Sequence, residues 1–209
     1  MSGQPESRMP AWYAAAHARN LGAAALRMVY RLQGHGMHAL GTQGPLIVVC
    51  PSEAVLAAPV LIALAPRPIH VLPNAALSTV ASPTVLERIG AIAVHAPTAI
   101  DAQRSALQAL NDGRAVAVVG SQVDPGWLLA MSGAPLVVVT LLGESGAVST
   151  DPPRPGARIQ AYAFGPVSVE IPGDPLRTSV REAVDERVRQ SVADATEWAE
   201  RRAGRKEAS

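Results

Sequence analysis

Short uninterrupted apolar runs alternate along this chain with longer stretches in which apolar residues recur every third or fourth position. Runs rich in β-branched residues fill Leu46–Cys50, Ala115–Val119 and Leu136–Leu142, which predicts strands buried on both faces. Pro68–Leu72 and Gly90–Val94 are shorter strand candidates, and Arg158–Phe164 alternates its outward positions as a further one. Helices are expected between them. Ser52 precedes an alanine-rich stretch to Ala65 and predicts a helix capped by its hydroxyl. Ser82-Pro83 sets a cap before a proline at the first position of a helix to Ile89. Thr98 and Asp101 open a helix to Asn111, with Leu107 and Leu110 on its apolar face and Gly113 as its stop. Pro125–Ser132 reads as a short helix. Ser179 and Glu182 then form a capping box before a stripe of Val180, Val184, Val188, Val192 and Ala195, with a stop near Gly204.

Residues 1–10 are polar and expected to be disordered, residues 11–204 to form a single domain, and 205–209 a tail. The domain opens with a helical pattern over Ala11–Leu32. Leu21, Ala25, Met28, Val29 and Leu32 share one face, and Arg19, Arg27 and Arg31 lie roughly opposite. Two readings stay open: a helix packed on the domain with a solvated basic side, or an interfacial helix. In the second, Arg19, Arg27 and Arg31 turn to anionic lipid, with Trp12 and Tyr13 near the headgroups. Gln33–Gln43, with three glycines, is a turn-rich connector; Glu144–Gly156 is a surface loop, and Gly165-Pro166 begins another. Strands alternating with helices predict an α/β fold, a layered mixed sheet flanked by helices.

Composition narrows the possibilities. At 209 residues with 48% hydrophobic content the chain can bury one sizeable core. A net charge of +1 offers no excess of basic residues for nucleic acid. Cys50, the only cysteine, ends an apolar run and is expected to be a buried small hydrophobe. His35 and His38 have no third ligand nearby, so no metal and no cofactor are expected. Arginine-dominated basic residues with abundant Ala, Val and Pro suggest a bacterial, cytoplasmic protein, and no apolar leader follows a basic start. The longest uncharged apolar run, Ala54–Ala65, is too short to span a bilayer and contains Pro59. Peripheral attachment to the inner face of the cytoplasmic membrane stays open.

Gly44-Pro45 and the apolar strand after it resemble the first motif of the glycerolipid (lysophosphatidate) acyltransferase family. In that family the strand leads to Asn-His, with an Asp five positions after the His. Anchored on Gly44-Pro45, the pair falls on Ser52 and Ala57; anchored on Pro59, it falls on Glu53 and Ala58. The framework of the family continues around it. Arg31-Leu32-Gln33-Gly34 stands in the place of the short strand before the motif, and Gly90-Ala91-Ile92 in that of the second motif. There the phosphate-gripping Arg is missing, and the strand ends His95-Ala96-Pro97. At the third motif Ser121 replaces the Glu and Asp124 the Arg, while Ala134-Pro135 and its strand match the fourth. The resemblance extends over roughly residues 30–192.

What the resemblance implies is an acyltransferase-like fold that has lost its chemistry. The family's His acts as general base and its Asp holds the imidazole in the required tautomer. Without them, the implied role is a pseudoenzyme binding anionic lipid, an acyl chain or a protein partner at the membrane face. By position Ser121, Gln122 and His95 would contact a ligand, and Ser52, Glu53 and Ser121 should line one depression. An active acyltransferase with a desolvated Glu53 as base is the first alternative. A hydrolase with Ser121 as nucleophile, His95 as base and Asp124 as orienter is the second, although the second glycine of a nucleophile elbow is missing.

Overall fold

The apolar runs form the middle of one sheet because an apolar layer meets each of their faces. In the computed structural model, which describes residues 22–82, 86, 91–92, 99–120, 123–143, 151–171 and 173–207, β2 (Leu46–Cys50) lies between β4 (Ala115–Val119) and β5 (Leu136–Leu142). These three strands are parallel, and β3 (Ile69–Leu72) extends the parallel set beyond β4. β6 (Arg158–Val167) runs antiparallel to β5, and β1 (Arg31–His35) pairs with β6 in parallel, giving the order β1-β6-β5-β2-β4-β3. The expected mixed α/β sheet flanked by helices is the observed one.

Alternate residues of each central strand serve opposite layers. Leu46, Val48 and Cys50 join one core with α2 (Ala57–Leu64) and α3 (Ala75–Val80), and Leu26 of α1 (22–29) packs on it. Ile47 and Val49 join the other with α4 (Ala99–Asn111), α5 (Pro125–Ser132) and α6 (Thr178–Glu207). Cys50 is buried, as its position in the run foretells. Along α6, Val180, Val184, Val188 and Ala195 are buried, so the expected stripe is the docking face.

Several boundaries differ from expectation. The first helix does not run to Leu32. Gly156 N–H donates to the Val29 carbonyl at 2.7 Å and Arg31 N–H donates to Ala157 O at 2.9 Å, which turns the chain into β1. The connector after it holds a 3₁₀ helix, Met37–Gly41, entered through Gly36 at φ 70°, where a Cβ would come within 2.7 Å of the Ala163 carbonyl. The second helix begins at Ala57 rather than Ser52, and α3 was not foreseen. β6 runs through Gly165-Pro166 to Val167, where a loop is expected from sequence. α6 starts at Thr178, so Ser179 lies inside it rather than at its cap, and it continues through Gly204 to Glu207. Ala91 bridges Val71 in parallel, as a strand over Gly90–Val94 would, but Ile92 already leaves the extended conformation for a 3₁₀ turn; Gly90, Ala93 and Val94, and all but Leu86 of the helix to Ile89, lie outside the described residues.

Candidate functional site

Parallel strands deliver their carboxyl ends to one edge of a sheet, and the segments that follow β2, β3 and β4 meet there. After Cys50 the chain does not enter a helix at once. Ser52 and Glu53 are half-buried, and Ser52 Oγ accepts a hydrogen bond from Ala54 N–H at 3.2 Å. Asn74, just past β3, fixes this turn. Its Nδ2 donates to Ser52 O at 3.2 Å and to Ala54 O at 2.9 Å, and its Oδ1 accepts from Leu77 N–H at 3.0 Å as the cap of α3. The residue is fully buried, so every polar atom of its amide is engaged.

These bonds explain why Ser52 does not cap α2. A helix starting there would use the Ser52 and Ala54 carbonyls for its own first bonds; the Asn74 amide binds Ser52 O, and it shares Ala54 O with the N–H of Ala57, three residues on, at 3.0 Å. The helix therefore begins at Ala57, with no side-chain cap on the preceding Leu56. Asn74 carries no motif that marks it as a site residue. A residue of the best N-capping type two positions beyond a strand, before Ala-Ala-Leu, is the signal that would have pointed to it.

Past β4, Gly120 adopts φ 75°, and its N–H donates to Cys50 O at 2.9 Å. A Cβ there would lie 2.7 and 2.9 Å from the two carboxylate oxygens of Glu53 and 2.8 Å from Asn74 Cβ. Glu53, Asn74 and Gly120 are thus one packed cluster at the ends of three strands. Ser121 and Gln122, which follow directly, lie outside the described residues, as do His95, Trp12, Tyr13 and Arg19. Ala57 and Ala58 are buried in the core at the first turn of α2, at 0% and 1% exposure. A methyl group can neither take a proton nor orient a base.

The proposed membrane-facing residues divide. Arg27 is exposed on α1, its Nη2 donating to Ala63 O at 3.2 Å. Arg31 is not on the helix but is the first residue of β1. The stripe assigned to the helix turns outward: Ala25 is exposed, Met28 is 83% exposed and Val29 42%, while Ala23 and Tyr30 are the buried residues.

A second polar cluster flanks the β4–α5 connection. Asp124 caps α5 by accepting from Gly126 N–H at 2.9 Å, and Asp185 of α6 lies against Gly126 so closely that any Cβ there would overlap its Oδ1. Burial, followed by the Asp124 charge, holds the Asp185 carboxyl above the ordinary aspartate value, against opposing pulls from Arg181 and Arg189. The folded state then binds this proton more tightly than the unfolded chain. The resulting stability is full below the ordinary aspartate value and is lost as pH rises through the raised one. Asp185→Asn should therefore be more stable than wild type at neutral pH, with a flatter pH profile from acid to neutral, as read from urea midpoints. Parallel profiles for the two proteins would contradict this.

No family model matches the chain, and no curated protein matches it in sequence. Among solved structures it is similar to the 1-acyl-sn-glycerophosphate (LPA) acyltransferase PlsC from Thermotoga maritima, with a TM-score of 0.57 and 14% identity over 87% of this chain and 80% of that one. What the two share is the fold: a mixed six-stranded α/β sheet flanked by helices, an acyltransferase-like architecture.

Proposed function

We propose that this protein is an acyltransferase-like pseudoenzyme, a non-catalytic module that binds lipid at the membrane face. The observation behind the non-catalytic half is the chemistry at the strand ends. In one register Ser52 and Ala57 stand where a base and its orienting carboxylate would, in the other Glu53 and Ala58, and the two alanines are sealed in the core. General-base catalysis contributes about 10²–10⁴-fold; a site without base and orienter forgoes it. The Glu53 carboxylate is packed against Gly120 rather than across an open space from it.

The membrane half is supported by α1, whose apolar stripe faces outward while no described helix is long and apolar enough to cross a bilayer. An apolar stripe beside exposed arginines suits an interfacial surface. A protein partner seated on the same stripe is the alternative occupant.

Two measurements test this. Purified protein with acyl-CoA or acyl carrier protein as donor, and glycerol 3-phosphate or lysophosphatidate as acceptor, should give no product above the no-enzyme control. Turnover that Glu53→Gln abolishes would show that Glu53 serves as a base, and the pseudoenzyme reading would fail. In flotation, the protein should rise with vesicles containing anionic lipid and lose binding as salt is added. Protein left at the bottom at low salt would leave only a protein partner.

A further inference from the structure

The register of β1 on β6 sets three pairs of side chains on one face of the sheet, and the outermost pair is unlike the others. Neighbours in a parallel pair point the same way, so Arg31 lies beside Arg158, Gln33 beside Gln160, and His35 beside Tyr162. The lower pairs are mated: Gln160 Nε2 donates to Gln33 Oε1 at 3.4 Å, and the His35 ring stacks on Tyr162 with centroids 4.6 Å apart. The Arg31–Arg158 pair joins two exposed guanidinium groups, neither in an ion pair with an acidic side chain among the described residues. Like charges on directly opposed strand positions destabilise a sheet. A third exposed arginine, Arg154, stands on the turn entering β6.

Position adds a second argument. β6 is antiparallel to β5, so β1 and β6 start at the edge of the sheet where β2, β4 and β5 end. Gly143, just past β5, confirms the level, since any Cβ there would overlap the Arg158 carbonyl oxygen. The arginine pair thus opens on the same edge as Glu53. Val29, two residues before Arg31, and Met28 beside it are the exposed apolar residues of α1. Paired guanidinium forks match the oxygens of a phosphate; they lie on the face where Tyr162 meets Trp198 of α6, while α1 packs on the opposite face, so Met28 and Val29 flank the pair only across the shared sheet edge.

We propose that Arg31 and Arg158 form the headgroup site of this protein, binding the phosphate of an anionic lipid in the bilayer surface, with Met28 and Val29 entering the same surface from the other face of that sheet edge. The proposal rests on the lipid reading of the function given above and names the residues and the headgroup chemistry. Each basic residue at an anionic surface contributes about fivefold in partitioning, so removing the pair should weaken binding about 30-fold.

Flotation with phosphatidylcholine vesicles, with and without phosphatidylglycerol, tests it on the full chain. Wild type should bind only the anionic vesicles; Arg31→Gln/Arg158→Gln should lose about 30-fold, and Arg177→Gln/Arg187→Gln, of equal net charge, should bind like wild type. The first double variant should be no less stable than wild type by urea midpoint, since it removes a like-charge pair. Equal loss in both double variants would overturn the site as nonspecific attraction. If Met28→Ser/Val29→Ser abolishes binding and the Arg31/Arg158 variant does not, the site is wrong and the lipid reading stands. Wild type that fails to bind at low salt overturns both. Stabilisation of wild type by millimolar inorganic phosphate, without vesicle binding, would assign the pair to a free anion and overturn the lipid site.

Discussion

Asn74→Ala is expected to lower folding stability by about 3 kcal/mol or more. The substitution removes three hydrogen bonds at once: the Leu77 N–H loses its acceptor, the Ser52 carbonyl loses the amide donor, and the Ala54 carbonyl keeps only its bond from Ala57 N–H. Each buried group left unsatisfied costs about 1–3 kcal/mol, although relaxation and entering water keep the sum below the simple total. Asn74→Ser separates the roles, because a hydroxyl can still cap Leu77 N–H but cannot reach two carbonyls of another segment. It should fall between wild type and alanine. Asn74→Asp retains the cap but turns an acceptor toward both carbonyls, so it should be at least as damaging as alanine at neutral pH and recover on acidification. Urea unfolding of the four proteins measures this directly. An alanine variant within about 1 kcal/mol of wild type would mean that water replaces the amide and that Asn74 does not set the Ser52–Ala54 turn.

The contrast between Asn74 and the central strands shows what the sequence could reveal. Ala115–Val119 and Leu136–Leu142 fall on their expected bounds because a strand buried on both faces needs an almost wholly apolar run, interrupted in the second only by Thr140, and few other structures do. β1 has no such run. Arg-Leu-Gln-Gly-His is an edge strand with one apolar contact face, and it is held by a partner segment more than a hundred residues away. Its position was suggested only by resemblance to a family. The first helix was misphased for a related reason. Ala23, Leu26 and Tyr30 have helical spacing just as Leu21, Ala25, Met28 and Val29 do, so periodicity alone could not decide which stripe turns inward. The start of α2 was misplaced because Pro51-Ser52 looks like a local cap, and the group that overrides it is a side chain twenty residues on. That Ser52, Glu53, Ala57 and Ala58 include neither His nor Asp was legible as letters. That Glu53 would pack onto a glycine of the neighbouring strand was not.

Gly120→Ala should be the most informative single methyl added to this protein, at an expected cost of about 2–4 kcal/mol. Two terms contribute. At φ 75° a residue with a Cβ loses about 1–2 kcal/mol relative to glycine. The new methyl would also sit 2.7 Å from Glu53 Oε2 and 2.8 Å from Asn74 Cβ. The carboxylate, at the end of a flexible side chain, can swing away; Asn74 Cβ cannot move without loosening the Ser52–Ala54 turn. A double-mutant cycle therefore separates them. In a Glu53→Ser background, the cost of Gly120→Ala should fall but remain above about 1 kcal/mol, the backbone term plus the contact with Asn74. A cost unchanged by Glu53→Ser would place all the strain on Asn74 and the backbone, while a cost near zero in wild type would show that Glu53 does not occupy this space. The second result bears on function. If a methyl fits freely between β2 and β4, there is room for a reacting group beside Glu53, and the case for a closed, non-catalytic strand end loses its geometric support.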